Sequence, residues 1–300
     1  ETIHKGRTLM EVFRGKITQA DSKNYLWFNG RLKPVKEAFV PVTDQGLLFG
    51  FGFFETIRAD KGKSLYLDEH IARFNNTWEN LFENRPPDLT WNSIINEVIS
   101  KNRLTDKTAA VKILATRGDR ETPPFNNTIM VMARPYTHRL AGKKSPGIKL
   151  LTYPAARQSP LASHKTLNYL YYLLAGRWAI KMGADEALIL NPDGTVSETN
   201  TANIMLISDK KVFIPSSAHV LPGIMQKTLC GVLVEWGYKI ENKVVTPEDL
   251  LSGKEVIISN SLMGAVPVLS IDNHNLPGPT DLCERINKAY KKGGSIEPPR

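Results

Sequence analysis

The stretch "SHKTLNYLYYLLAGRWA", from Ser163 to Ala179, sets Lys165 at the head of an apolar run. A lysine amine serves as nucleophile or base once burial and neighbours remove its usual hydration. On this segment alone it reads as a solvated surface cation, because a helix beginning there would turn its positive pole toward it. Three other stretches carry different chemistry. In "TVSETNTANIML", Glu198 follows a buried-strand pattern and stands among Ser197, Thr199, Asn200, Thr201 and Asn203. Such a polar shell would hold a buried carboxylate for a cationic partner. In "VLPGIMQKTL", Gly223 precedes a helix pattern, which frees backbone N–H groups at the positive pole of the helix for an anion. In "IISNSLMGAVPV", Ser259, Asn260 and Ser261 end a strand pattern before Gly264 and Pro267, where hydroxyls and amides suit an oxyanion or a phosphate.

Each stretch also has an ordinary reading: a hairpin with a polar outer face, a plain turn, a loop. In this order they fit one cofactor. An amine to form a Schiff base, an acid to keep a pyridine nitrogen protonated, and donors for a phosphate are the requirements of pyridoxal phosphate.

These groups need elements to hold them. Leu167, Leu170, Tyr171, Leu174 and Trp178 recur at helical spacing, so an amphipathic helix with that stripe buried is expected, with Lys165 in its first turn and Gly183 stopping it. Upstream, "YLWFNGRLKP" has strand and turn signals, and "FFETIRA" with "KSLYL" around Asp-Lys-Gly predicts a β-hairpin. Asp68 is the expected cap of a helix whose core stripe is Ile71, Phe74, Trp78 and Leu81. A second helix starts at Thr90, and two strands, "AAVKILATR" and "NTIMVMARPY", follow it. The polar, turn-rich "THRLAGKKSPG" marks a boundary, giving an N-terminal domain over 1–137, a linker over 138–147 and a larger domain over 148–300. Beyond it come "IKLLTYP", then "EALIL", "TVSETN", "NIMLIS" and "KVFIP" as strands. A helix with Leu229, Leu233 and Trp236 inward and Gly237 at its end follows. "YKIENKVV", a short helix opened by Thr246-Pro247, two more strands and a closing helix complete the chain. Strands interleave with single helices without strict alternation, so the expected class is α+β in two domains.

Composition narrows the function. The 300 residues are 41% hydrophobic and 23% charged, as in an ordinary globular protein. No apolar run reaches membrane-spanning length and Glu1 to Ala20 is polar, so no membrane association and a cytoplasmic location are expected. Cys230 and Cys283 have no partner at metal-ligand spacing. The net charge of +9 is scattered, densest at 142–144 and 290–294, and no nucleic-acid-binding motif accompanies it.

Taken together and spaced as they are, "HKTLNYL", "GADEALILNPDGTVSETNTANIML", "LPGIMQKTL" and "SNSLMGAVPVLSID", with "VTDQGLLFGFGFFETIR" and "LYLDEHIARF" upstream, resemble the fold-type IV pyridoxal-phosphate enzymes. These comprise branched-chain aminotransferases, D-amino-acid aminotransferases and 4-amino-4-deoxychorismate lyases. The resemblance implies two α/β-type domains of the D-amino-acid aminotransferase-like fold, with the active site at their interface, and a homodimer. It makes Lys165 the Schiff-base lysine and Glu198 the partner of the pyridine nitrogen. Arg73, the backbone N–H groups of Ile224 and Met225, and the Ser261 hydroxyl would hold the phosphate, with Thr201 nearby. Phe54, Arg117 and Asn260 are the implied substrate residues.

Departures from the family pattern guide the choice within it. Aminotransferases usually read Gly-Ile-Thr-Arg where this chain has Gly223-Ile224-Met225-Gln226, and the methionine resembles the lyases, as does the Asn-x-Leu-Met of "SNSLMGAVPV". Phe54 stands where D-amino-acid aminotransferases place a tyrosine. Phe51 replaces an aspartate general to all three groups, so a polar contact in that loop must be absent or replaced. The resemblance thus implies a folate-pathway lyase that eliminates pyruvate from aminodeoxychorismate, a small anionic substrate, to leave 4-aminobenzoate. Amino-acid transamination is the alternative, and a non-catalytic basic binding protein the remote one.

Overall fold

A computed structural model describes residues 24–120 and 126–291. The polar stretch Glu1 to Ala20 and most of the basic run 290–294 lie outside the described residues. The chain divides into two compact units, one of residues up to Leu67 with Ile71–Tyr136, the other of Asp68–His70 with Thr137 onward.

In the first unit, β1 (Tyr25–Phe28) and β2 (Arg31–Pro34) pair through Asn29-Gly30, both at positive φ, the two-residue turn whose twist matches paired strands. A short helix absent from the sequence expectations follows, α1 (Gln45–Phe49). It starts there because the fully buried Asp44 caps it, accepting from Gly46 N at 2.7 Å and from the Thr116 and Thr128 hydroxyls at 2.7 and 3.0 Å. β3 (Gly52–Asp60) and β4 (Lys63–Ser64) form the expected hairpin across Lys61-Gly62. α2 (Leu67–Phe82), α3 (Trp91–Lys101), β5 (Thr108–Thr116) and β6 (Thr128–Pro135) complete the unit. Asp68 is not the cap of α2. Tyr66 occupies that position in the left-handed region and Asp68 lies in the first turn, where its charge still faces the positive pole.

The six strands form an antiparallel sheet in the order β2-β1-β6-β5-β3-β4. One face packs on α2 and α3 through Phe53, Ile57, Val111, Ile113 and Val131 against Phe74, Trp78, Phe82, Ile95 and Ile99. Phe51, the departure from the family aspartate, turns into this core edge-on to Phe82 at 5.6 Å, so aromatic packing replaces the expected polar contact. Register sets three rows on the opposite face: Phe54, Leu114 and Met130; Thr56, Lys112 and Met132; Arg58, Ala110 and Arg134.

The second unit opens on 137–147, which is tied down rather than free. His138 Nε2 lies 3.1 Å from the Met263 carbonyl, Arg139 pairs with the fully buried Glu186, and Leu140 packs on the core. Its elements are β7 (Ile148–Thr152), α4 (Leu170–Lys181), β8 (Glu186–Leu190), β9 (Val196–Thr199), β10 (Asn203–Ser208), β11 (Lys211–Pro215), α5 (Ile224–Glu235), β12 (Lys239–Lys243), α6 (Pro247–Ser252), β13 (Glu255–Asn260), β14 (Gly264–Ile271), β15 (His274–Asn275) and α7 (Leu282–Lys291). Thr246 begins α6 with a reciprocal capping box to Asp249. The sheet runs β12-β11-β10-β13-β14-β7-β8-β9 with β15 on β14, and β11·β12, β14·β7 and β7·β8 are its parallel pairs. A mixed sheet with helices on separate connections makes the class α+β, as expected.

The expected apolar stripe of α4 holds at Trp178, which packs on Ala175, Ala179 and Ala187, and fails at its leucines. Leu170, Leu173 and Leu174 are exposed, while Tyr172, Ala175, Gly176 and Ala179 are buried. Small residues let the helix backbone approach Ala187 on β8, so close packing, and not the larger hydrophobic side chains, selects the inner face. Lys165 is not in the first turn either. The helix starts at Leu170, and Lys165 belongs to the preceding loop, so the objection from the helix dipole does not arise.

Candidate active site

Within the second unit, β9 carries Glu198 in register with Ile189 of β8, almost fully shielded from solvent. Burial pushes its carboxyl up to about 7, against the pull of Tyr172, Lys165, Arg157 and a backbone hydrogen bond from Leu221. The polar shell read from the sequence does not hold this carboxylate. Ser197 Oγ donates to the His219 carbonyl at 3.2 Å, and Thr199 Oγ1 and Thr201 Oγ1 donate to Glu186. Asn200 Oδ1 accepts from Ala187 N at 2.8 Å, and Asn203 Nδ2 donates to the Leu221 carbonyl at 2.8 Å. Those side chains fix the backbone around β9. The group that reaches the carboxylate is Tyr172 of α4, whose hydroxyl donates to Glu198 Oε1 at 2.5 Å.

Lys165 is half-buried, with Nζ 5.4 Å from the centre of the Tyr169 ring. Tyr169 and Tyr172 stack at 4.8 Å, and burial together with the Glu198 charge raises both phenols above their ordinary range. Arg157 covers the Tyr172 ring at 4.6 Å while its Nη1 donates to the His219 carbonyl at 3.3 Å. Lysine, carboxylate, two phenols and a guanidinium thus share one locality, though spread from residue 157 to 198. Of these, Arg157, Tyr169 and Tyr172 were missed from sequence. The tyrosines' signal was their cluster beside Lys165, of which the helical spacing took only Tyr171 into the core stripe; Arg157, in the loop before it, gave none.

At the start of α5, Ile224 and Met225 are buried and the first-turn N–H groups have no acceptor within the helix. Gly223 makes the approach to them narrow. A Cβ there would fall 1.8 Å from Asn203 Oδ1, the side chain that holds Leu221. Ser261 is half-buried in the turn after β13. Asn260 holds that turn, its Oδ1 accepting from Leu262 N and Met263 N and its Nδ2 donating to the Thr201 carbonyl. Thr201 likewise spends its hydroxyl on Glu186.

In the first unit, Arg73 of α2 forms a two-pronged pair with Glu55 of β3, Nε to Oε1 and Nη2 to Oε2, both at 2.8 Å. The pair uses two of the five guanidinium donors and fixes the plane of the group. Arg117 is buried with its guanidinium 5.9 Å from the Phe82 ring, on the core side of the sheet. Phe54 lies on the other face, where Lys112 Nζ covers its ring at 4.5 Å. Desolvation and the nearby Arg134 lower the Lys112 amine below its ordinary value, and neither cation meets a carboxylate among the described residues. No group of three or more acidic, histidine or cysteine side chains able to hold a metal occurs there, and no helix is long and apolar enough to cross a membrane.

A family model for class IV amino-transferases matches residues 52–271. The chain belongs to the class IV aminotransferases. It is therefore an enzyme that depends on pyridoxal phosphate, and the non-catalytic alternative falls away. This class IV chain is 31% identical over 279 residues to a Methanocaldococcus jannaschii protein named "Putative branched-chain-amino-acid aminotransferase", covering 89% of this chain and 95% of that one. It is 28% identical over 289 residues to branched-chain-amino-acid aminotransferase-like protein 2 of Arabidopsis thaliana, matching 91% of this chain and spanning only 50% of that relative's length. Among solved structures, the branched-chain amino acid aminotransferase of Escherichia coli superposes with a TM-score of 0.80 at 24% identity, over 91% of this chain and 95% of that one. A Legionella pneumophila structure named "Putative 4-amino-4-deoxychorismate lyase" gives 0.77 at 24%, over 86% and 96%. At these identities both structures show a shared fold. The residues of this class IV chain suit the cofactor: a half-buried amine, a buried carboxylate for the ring nitrogen, and a helix start kept open by a glycine that no side chain can replace without displacing Asn203.

Proposed function

We propose that this chain is a 4-amino-4-deoxychorismate lyase. The observation that carries the reading is Met225. At the second position of α5 the side chain is apolar and only 2% exposed, so that residue offers an anion its backbone N–H and no hydroxyl of its own. Threonine is the residue of the aminotransferase motif at that place, and methionine that of the lyases. The Asn260-led turn with Leu262 and Met263 points the same way, and Lys112 over the Phe54 ring, with Arg134 near Lys112, supports an anionic substrate with an apolar ring.

The bound cofactor supplies an electron sink for charge that develops beside the substrate's amino group. In this reading Lys165 Nζ holds the cofactor covalently and, once displaced by substrate, takes the proton from the carbon bearing the amino group. Glu198 holds the proton of the ring nitrogen. Ile224 N–H, Met225 N–H and the Ser261 hydroxyl orient the phosphate. Arg73, set by Glu55, is assigned to the phosphate on the family motif. We read the enzyme as a cytoplasmic homodimer. The outward Leu170, Leu173 and Leu174 of α4, and Phe39 and Phe49 of the first unit at 78% and 70% exposure, support a second copy as their cover. Two free thiols suit a reducing compartment.

A second reading, transamination of branched-chain or D-amino acids, is favoured by the names of the relatives. One assay separates the two. The purified protein is given aminodeoxychorismate with no 2-oxo acid, with Lys165→Ala as the blank. Sustained pyruvate release, absent from the blank, is the expected result. No pyruvate, together with a visible cofactor band that a branched-chain or D-amino acid bleaches once and a 2-oxo acid restores, would make it an aminotransferase.

A further inference from the structure

Glu198 is a carboxylate that burial drives toward its neutral form, and a neutral carboxyl cannot hold a proton on a ring nitrogen. Some group must oppose that drive and decide which oxygen is turned outward. Tyr172 is placed to do both. Its hydroxyl donates to Oε1 at 2.5 Å, a charge-assisted bond. Each carboxylate oxygen accepts two hydrogen bonds, so with Tyr172 fixed on Oε1, and with the backbone bond from Leu221 counted, Oε2 keeps a lone pair for a further partner.

The tyrosine itself is clamped. Arg157 covers one ring face at 4.6 Å, Tyr169 stacks at 4.8 Å, and Tyr171 meets the ring edge-on at 5.8 Å. Arg157 is anchored in turn by the His219 carbonyl. A donor immobilised by packing loses little entropy when it holds its acceptor, which is the condition for a preorganised site. The charged and titratable groups around the carboxylate are Lys165, Arg157, Tyr169 and Tyr172, and Tyr172 is the one that bonds it through a side chain.

We propose that Tyr172 is the positioning residue of the cofactor's ring-nitrogen site: it holds Glu198 by Oε1 so that Oε2 faces the ring nitrogen. This rests on the assignment of Glu198 to that nitrogen. The experiment compares binding of pyridoxal phosphate with that of its carbon analogue, in which C–H replaces the ring nitrogen, to cofactor-free protein by tryptophan fluorescence titration. The native protein is expected to prefer the nitrogen form. Tyr172→Phe should lose about tenfold of that preference while binding the carbon analogue within about twofold of native, as expected for one hydrogen bond to a charged group. Tyr172→His, which keeps a ring and an N–H donor, should regain part of it and serves if the phenylalanine variant folds poorly. Glu198→Gln should lose the preference, with no further loss in the double variant. If Tyr172→Phe keeps the preference while Glu198→Gln loses it, or if Tyr172→Phe weakens both ligands equally, the proposal fails and the Glu198 assignment stands. If Glu198→Gln keeps the preference, the assignment itself fails and takes the proposal with it.

Discussion

Glu198 offers a test that needs no substrate. Its carboxyl stands near 7 in the folded chain against an ordinary value of 4.5. A folded-state value above the unfolded one means that the folded chain binds the additional proton between those limits. The stability this group contributes is therefore fully present below about pH 4.5 and lost as the pH rises through about 7. Glu198→Gln cannot ionise, so cofactor-free variant should melt higher than native protein at pH 8 and lose that advantage at pH 5. An advantage equal at both pH values would contradict the burial argument. The candidate site was partly legible at this scale. Lys165 and Glu198 were legible only through the ordered set of motifs, each having an ordinary reading alone, and the Tyr172 bond joins positions 26 residues apart and exists only because α4 packs on β8. Likewise the shell around Glu198 was legible as polar but not by its partners, since bonds such as Thr199 to Glu186 are set by strand register.

Among elements, α5 makes the sharpest prediction. Gly223→Ala sets a Cβ where Asn203 Oδ1 lies, so either Asn203 releases Leu221 or the helix start shifts. A cost of about 1–3 kcal/mol in denaturant unfolding is expected, with weaker cofactor binding. Gly231→Ala on the same helix meets open space and should stabilise by up to about 1 kcal/mol, so the pair separates crowding from helix propensity. Strands were the more legible elements, because alternation and turn residues such as Asn29-Gly30 act locally. α1 was hidden because its cap, Asp44, is fixed by Thr116 and Thr128, more than 70 residues away in sequence. The buried face of α4 was misread because side-chain size pointed one way and backbone approach the other.

For the whole molecule, the exposed leucines of α4 carry the prediction. Leu170→Glu with Leu174→Glu should leave the fold intact, since both side chains lie outside the core, and convert the proposed dimer to monomer in sedimentation. A native protein that is already monomeric would remove the dimer reading. The close seat of α4 also bears on how this chain can change. A Cβ at Gly176 would lie 2.5 Å from Asn200 Nδ2, and Asn200 is bonded to β8, so that contact admits no larger residue. Divergence toward other substrates is thereby channelled away from this helix and strand. In the proposed reading it falls instead on residues 225 and 261–263, at a helix start and a turn. A library that randomises those positions should yield altered specificity at a far higher rate than one directed at Gly176, Ala179 or Ala187.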